Sequence, residues 1–119
     1  MLELLEGFDD ATIALKTSGE VTRQDYEEIL IPRVKEILQT NDNVKCFMYF
    51  TEGTTYSAGA MATDTVFGIR HLFSWQRIAL VTDVEWMNKA AGFFMGLLPC
   101  EGKVFSEEKY DEAKTWIES

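Results

Sequence analysis

The side chains that could carry out reaction chemistry in this sequence are few and lie far apart. His71 is the only histidine, and no serine and aspartate accompany it in a recognisable catalytic arrangement. Asp64 and Asp83 are isolated carboxylates, and the two cysteines, Cys46 and Cys100, lack the spacing of metal ligands. The sequence therefore predicts no catalytic residue, no metal and no cofactor, which favours a protein that is not an enzyme.

One hydroxyl group does stand at an informative place. Ser57 follows Thr54 and Thr55 where a helix is predicted to begin. The ordinary interpretation is that Ser57 caps this helix, because its oxygen can accept a hydrogen bond from a free N–H group of the first turn. The alternative is that Ser57 is phosphorylated, or that an anion rests on the helix N-terminus. We therefore keep Ser57 as a candidate modification site.

The run Ala90–Cys100 contains no charged residue, although the chain has a formal net charge of -9. This run is predicted to continue a helix that carries Trp86, with Pro99 as its end, and it is too short to cross a bilayer, which takes about 20 apolar residues. Phe94 falls on the stripe expected to face a sheet, whereas Phe93 and Leu97 fall near Trp86 on the opposite side. A helix that is apolar all round is either buried or offers one face to a partner.

We predict that this spare face helps to bind a small lipophilic molecule between the second and third helices. The predicted lining consists of large apolar side chains from both helices: Met61, Phe67, Trp86, Phe93, Phe94 and Leu97. The same face could instead meet a membrane surface, or a second copy of the chain in a homodimer.

Composition limits the partners further. With 119 residues the chain is predicted to form a single domain over residues 1–119. The charge of -9 argues against nucleic acid and against attraction to anionic lipids, so membrane contact would have to be hydrophobic. No signal peptide is visible, and the predicted location is cytoplasmic, with peripheral contact at the inner membrane.

The elements that must position these residues follow the order ββαβαβαβα. Strands buried on both faces and separated by helices indicate parallel pairing. The predicted fold is therefore α/β, with a mostly parallel mixed sheet of about five strands and about four helices. Pro32 is predicted to kink the first helix without ending it, and Asp83 to cap the third helix. The predicted strands cover residues 2–6, 12–17, 44–50, 77–82 and 103–105.

The order and spacing of several short motifs resemble the SpoIIAA-like family within the STAS superfold. The resemblance implies a STAS-like sheet with helices packed on it, and it relates the chain to anti-sigma-factor antagonists of sporulating bacteria. It also implies no established enzymatic activity, with ligand carriage and membrane association as the proposed roles. The motifs are Ser18–Thr22 before Tyr26, Phe67-Gly68 with His71, Arg77–Asp83 with Trp86, and Phe105 followed by Glu112-Ala113 and Trp116.

One departure from the anti-sigma antagonists affects the expected function. Those proteins carry an Asp-Ser pair at the start of the helix after the third strand, and that serine is phosphorylated. The segment Thr51–Gly59 contains hydroxyl groups but no such pair. A phosphorylation switch is thus not carried over, and a regulatory protein–protein module controlled near Ser57 remains the alternative to a lipophilic binding protein.

Overall fold

The computed structural model describes residues 1–71 and 73–119, and for residues 68, 69 and 94 it describes the backbone alone. Seven strands are present in this part of the chain: Leu2–Leu4 (β1), Thr12–Thr17 (β2), Glu20–Val21 (β3), Val44–Phe50 (β4), Thr55–Tyr56 (β5), Trp75–Val81 (β6) and Glu101–Phe105 (β7). The α-helices are Arg23–Asp25 (α1), Ile31–Thr40 (α2), Ala58–Arg70 (α3), Glu85–Met95 (α4) and Tyr110–Glu118 (α5).

Five of the strands form a mixed sheet in the order β1-β2-β4-β6-β7. The hairpin strands β1 and β2 are antiparallel, and every other neighbouring pair is parallel. The predicted order ββαβαβαβα and the mostly parallel sheet are thereby confirmed. The two-residue strands β3 and β5 form a separate parallel pair, which the sequence pattern did not predict.

The first helical region continues through Pro32, as predicted. It consists of α1, the π-helical segment Tyr26–Leu30 and α2, with Pro32 in the first turn of α2. In an α-helix the ring of Pro32 would meet the carbonyl of Glu28, which lies inside the π-helical segment. The π-helical segment thus occupies the turn in which the ring of Pro32 would clash with the backbone of an α-helix.

The central strand β4 is buried from both sides of the sheet. Val44 and Phe50 pack on the face covered by the first helical region and α4, whereas Phe47 packs on the face covered by α5. Lys45 is the one charged residue of this strand, and its Nζ lies 2.8 Å from Asp9 Oδ2. The prediction of a central strand is confirmed, and Asp9 explains how the strand accommodates a lysine.

The prediction that Asp83 caps the third helix was wrong. This helix, α4, begins at Glu85, and the Val84 N–H group before it donates to Thr82 Oγ1 at 3.0 Å. Asp83 Oδ1 instead accepts a hydrogen bond of 3.0 Å from the N–H of Glu107, at the start of the 3₁₀ turn that leads into α5. Asp83 therefore stabilises the start of the last helical region, on the other face of the sheet.

The predicted end of α4 also needs correction. The helix ends at Met95, before Pro99, and β7 begins at Glu101. Glycine lowers helix stability by about 1 kcal/mol relative to alanine, and Gly96 stands directly after the last helical residue. The second half of the uncharged run is therefore a turn at the amino end of β7.

Candidate binding surface

Among the side chains that the structure describes, three from helix α4 form the stripe that lies on the sheet. Met87, Ala91 and Met95 pack with Phe50 and Leu80 of the central strands. Their spacing of four residues places them on one side of the helix. This stripe is the part of α4 that the core requires.

The opposite side of α4 is exposed to solvent. Trp86 is 55% exposed, Phe93 is 69% exposed, and Leu97, in the turn after the helix, is 68% exposed. Trp86 and Phe93 are seven residues apart, two helical turns, so they share one side. We call the surface formed by Trp86, Phe93 and Leu97 the α4 face.

The α4 face is fixed to the core at one end. The ring of Trp86 meets the ring of Phe50 edge to face, with 5.7 Å between centroids. Phe50 is fully buried and stacks in turn on Tyr56, at 6.0 Å. One side of the indole is thus held by the protein while the rest of the ring remains in solvent.

Charged side chains lie only at the start of this helix. Glu85 and Lys89 form an exposed ion pair at 3.4 Å, which is worth little in water. No further charge occurs until Glu101. The C-terminal half of the α4 face therefore carries no charge of its own, in a chain with an excess of nine negative charges.

The other predicted lining residues lie elsewhere or outside the description. Met61 is 60% exposed on α3. Phe67, 7% exposed, belongs to the core beneath the first helical region, where its ring lies 4.3 Å from that of His71 and 6.3 Å from that of Trp75. The side chain of Phe94 lies outside the described residues, so its predicted contact with the sheet stays a prediction.

Two cavities border the first helical region, away from the α4 face. One of about 310 Å³ lies between this region and α3, with Glu27, Ile31, Val66, Phe67 and Arg70 among its walls. The other, of about 360 Å³, lies beside the connection from β1 to β2. Phe67 lines the first of these, whereas Trp86, Phe93 and Leu97 line neither. The structure therefore does not bring the predicted residues together around either cavity.

Ser57 occupies the capping position that the sequence predicted. Its Oγ accepts a hydrogen bond of 3.0 Å from the N–H of Ala60, in the first turn of α3. Its own N–H donates to the carbonyl of Val21 at 2.9 Å, which joins α3 to the start of the first helical region. The half-buried hydroxyl thus has a structural role.

Sequence reasoning missed a pairing between Tyr26 and Asp64. The hydroxyl of Tyr26, in the π-helical segment, donates to Asp64 Oδ1 of α3 at 2.7 Å. Burial raises the pKa of Tyr26, and it raises the pKa of the neighbouring Tyr56 to about 12, so both phenols stay protonated. Desolvation likewise raises the pKa of Asp64, against the lowering effect of the Tyr26 hydrogen bond, although the outer part of Asp64 remains exposed.

The sequence indicates that Tyr26 needs a hydrogen-bond partner, but not which residue supplies it. Tyr26 lies on the apolar stripe of the first helix, and a buried tyrosine requires a partner for its hydroxyl. Asp64 is the one charged residue between Glu52 and Arg70. The pair joins α3 to the first helical region.

Among the residues that the structure describes, no three His, Cys, Asp or Glu side chains are grouped so as to hold a metal ion. None of the helices in residues 1–71 and 73–119 is long and apolar enough to cross a membrane.

Comparison with known proteins places this fold. No curated protein matches the chain. A solved structure, described as an uncharacterized protein from the DUF3478 family with a SpoIIAA-like fold from Shewanella loihica PV-4, matches with a TM-score of 0.76. The two are 24% identical, and the match covers 98% of this chain and 92% of the other. A family model described as SpoIIAA-like matches residues 12–118, and the chain therefore belongs to the SpoIIAA-like family.

Proposed function

We propose that the protein is a binding protein without catalytic activity that attaches to the surface of a lipid bilayer through the α4 face. The observation that carries the proposal is the exposure of Trp86, Phe93 and Leu97, each more than half accessible to water, on a stretch with little charge. Tryptophan, phenylalanine and leucine are the side chains by which interfacial helices enter the boundary between headgroups and acyl chains.

A non-catalytic role is supported by what the reactive side chains do in the fold. The Ser57 hydroxyl accepts the capping hydrogen bond of α3, and His71 Nδ1 lies 3.2 Å from the carbonyl oxygen of Phe67. Asp83 holds the N–H of Glu107. Each of these groups thus has a structural partner within the described part of the chain.

A flat surface is favoured over an enclosed ligand site. Trp86, Phe93 and Leu97 are each more than half exposed, and they line neither of the two cavities. A small lipophilic ligand on such a surface would keep one side in water, whereas a bilayer covers all three side chains at once.

The net charge determines which bilayer suits the surface. At -9, the chain is repelled by anionic headgroups over a Debye length of about 10 Å at 0.1 M salt. Attachment would then rest on apolar burial, so it should be stronger on neutral vesicles than on anionic ones.

Co-flotation with vesicles tests the proposal. Purified protein is mixed with vesicles of phosphatidylcholine alone, or of phosphatidylcholine with phosphatidylglycerol, at 0.1 M salt. We expect flotation with the neutral vesicles and less with the anionic ones. Leu97→Ser should reduce flotation, whereas Leu4→Ser should not, because Leu4 is 46% exposed on β1 at the far edge of the sheet.

Three other outcomes would contradict bilayer attachment through the α4 face. Flotation that grows with phosphatidylglycerol content would indicate an electrostatic site instead of the α4 face. No flotation with either vesicle, in a protein that binds a fluorescent fatty acid, would favour a ligand carrier. No binding to either probe would favour the regulatory protein–protein module.

A further inference from the structure

Strand β7 ends the sheet and leaves one of its sides without a neighbouring strand. It pairs only with β6, and the carbonyl of Phe105 accepts a hydrogen bond of 2.9 Å from the N–H of Thr82. Because successive residues of a strand direct their backbone groups to alternate sides, Gly102 and Val104 direct theirs to the outer edge. Within the described residues, no hydrogen bond to these outward groups is present.

The side chains along this edge alternate in charge around a glycine. Glu101 and Lys103 immediately precede and follow Gly102, and their side chains lie on the same face of the sheet. Both residues are exposed. Their contacts within the chain are weak. Arg77 Nη2 lies 3.9 Å from Glu101 Oε1, and Lys103 Nζ lies 5.1 Å from the centre of the Trp116 ring. Both charges thus remain available to a partner.

We propose that two copies of this chain associate through their β7 edges, in antiparallel register about Gly102. The outward N–H and C=O groups of Gly102 then bond reciprocally to those of the second copy. Glu101 stands directly opposite Lys103 of the second copy, and Lys103 opposite its Glu101. In an antiparallel ladder these flanking residues form a non-hydrogen-bonded pair, in which side chains approach most closely. The result is one continuous sheet with two reciprocal ion pairs.

The charges also disfavour the neighbouring registers. Moving the two-fold axis to residue 103 places Lys103 opposite Lys103, and moving it to residue 101 places Glu101 opposite Glu101. Like charges directly opposite each other destabilise a strand pair. Opposite charges therefore favour the register about Gly102, and like charges disfavour the registers about residues 101 and 103. A self-complementary interface requires this kind of specificity.

Sedimentation velocity with charge-exchange variants tests this interface. Over a concentration series at 0.1 M salt, which screens the repulsion between two chains of net charge -9, we expect wild type to form a dimer. Lys103→Glu alone, and Glu101→Lys alone, each replace two attractive pairs with two repulsive ones, and should weaken the dimer at least about tenfold. The double variant Glu101→Lys/Lys103→Glu restores opposite charges and should recover dimerisation to within a few-fold of wild type.

Circular dichroism melting shows whether each variant folds, and the two single variants provide independent measurements. The proposal is overturned if wild type stays monomeric throughout the series. It is also overturned if folded single variants dimerise as well as wild type, or if a folded double variant remains monomeric. None of these readouts uses lipid, so they do not depend on the α4 face as a membrane contact.

Discussion

Replacing Phe93 with serine tests whether the exposed side of α4 contributes to vesicle binding without contributing to folding stability. Complete burial of a phenylalanine side chain contributes about 1.5–3 kcal/mol. Phe93 is 69% exposed in the free protein, so roughly that share of the side chain remains to be buried by a bilayer. The expected loss of vesicle affinity is about 1–2 kcal/mol, or roughly 5- to 30-fold in the partition coefficient.

The same substitution should leave folding nearly unchanged. Exposed positions usually change the free energy of unfolding by about 0.5 kcal/mol or less, and serine and phenylalanine have similar helix propensities. We therefore expect Phe93→Ser to lower the unfolding free energy by about 1 kcal/mol at most. Phe47 supplies the contrast, because it is fully buried and its ring contacts Phe8 at 4.7 Å and Tyr110 at 5.2 Å. Phe47→Ser should cost about 3–5 kcal/mol or more, from lost packing and a stranded hydroxyl.

The assay combines urea unfolding with vesicle partitioning of the same samples. Leu4→Ser serves as the control for an exposed apolar side chain outside the α4 face. If Phe93→Ser destabilised the protein as much as Phe47→Ser, the exposed side of α4 would be part of the core and our reasoning would fail. Unchanged partitioning in a stable Phe93→Ser protein would exclude this ring from the membrane contact.

Two further predictions concern polar groups of the scaffold. If Ser57 acts only as a cap, Ser57→Ala should lower the free energy of unfolding by about 1 kcal/mol. Ser57→Asp should leave it nearly unchanged in urea unfolding, because aspartate also caps helices. Loss of partner binding by a fully stable Ser57→Asp protein would instead support the phosphorylation switch. Partial burial alone would raise the pKa of Asp9, but the hydrogen bonds from Lys45 and Thr12 and the charge of Lys45 outweigh it and lower the pKa. The stabilisation by the Asp9 carboxylate is therefore present above the unfolded-state pKa near 3.8, and it is lost as pH falls through the lower folded-state pKa. Asp9→Asn should therefore be destabilised by about 1–2 kcal/mol at pH 7, and its unfolding free energy should converge with that of wild type in acid; a constant difference down to pH 2 would show that the carboxylate charge is not responsible.

The order of elements could be predicted because it depends on local patterns. The apolar run of β4 and the helical stripe of the first helix appear in the sequence at their characteristic periods. Parallel strands separated by helices then allow few sheet arrangements, and the observed one is among them. The side of α4 that lies on the sheet was predicted in part, because Met87 and Ala91 belong to the expected stripe and Trp86 and Phe93 were placed on the opposite side.

The parts that sequence could not supply depend on contacts between distant residues. Asp83 was expected to cap the nearest helix, but its carboxylate holds Glu107, 24 positions away, because the ends of β6 and β7 lie side by side. Tyr26 and Asp64 are 38 positions apart, and no local rule pairs them. The end of α4 was misplaced because its uncharged run gives no charge signal at Met95, so the stop was assigned to Pro99.

The position of α3 has a consequence for how the domain opens. Apart from residues 68 and 69, whose side chains are not described, α3 buries only Ala60 and Phe67, and it rests mainly on the first helical region. Among the described residues, its polar attachments include the hydrogen bond from the Ser57 N–H to the carbonyl of Val21 and the Tyr26–Asp64 hydrogen bond. Elements with so small a buried area form the cooperative units of lowest stability in a protein. The α3 amides should therefore exchange with solvent through a local opening that leaves the five-stranded sheet intact, so that the protein has two levels of stability within one domain.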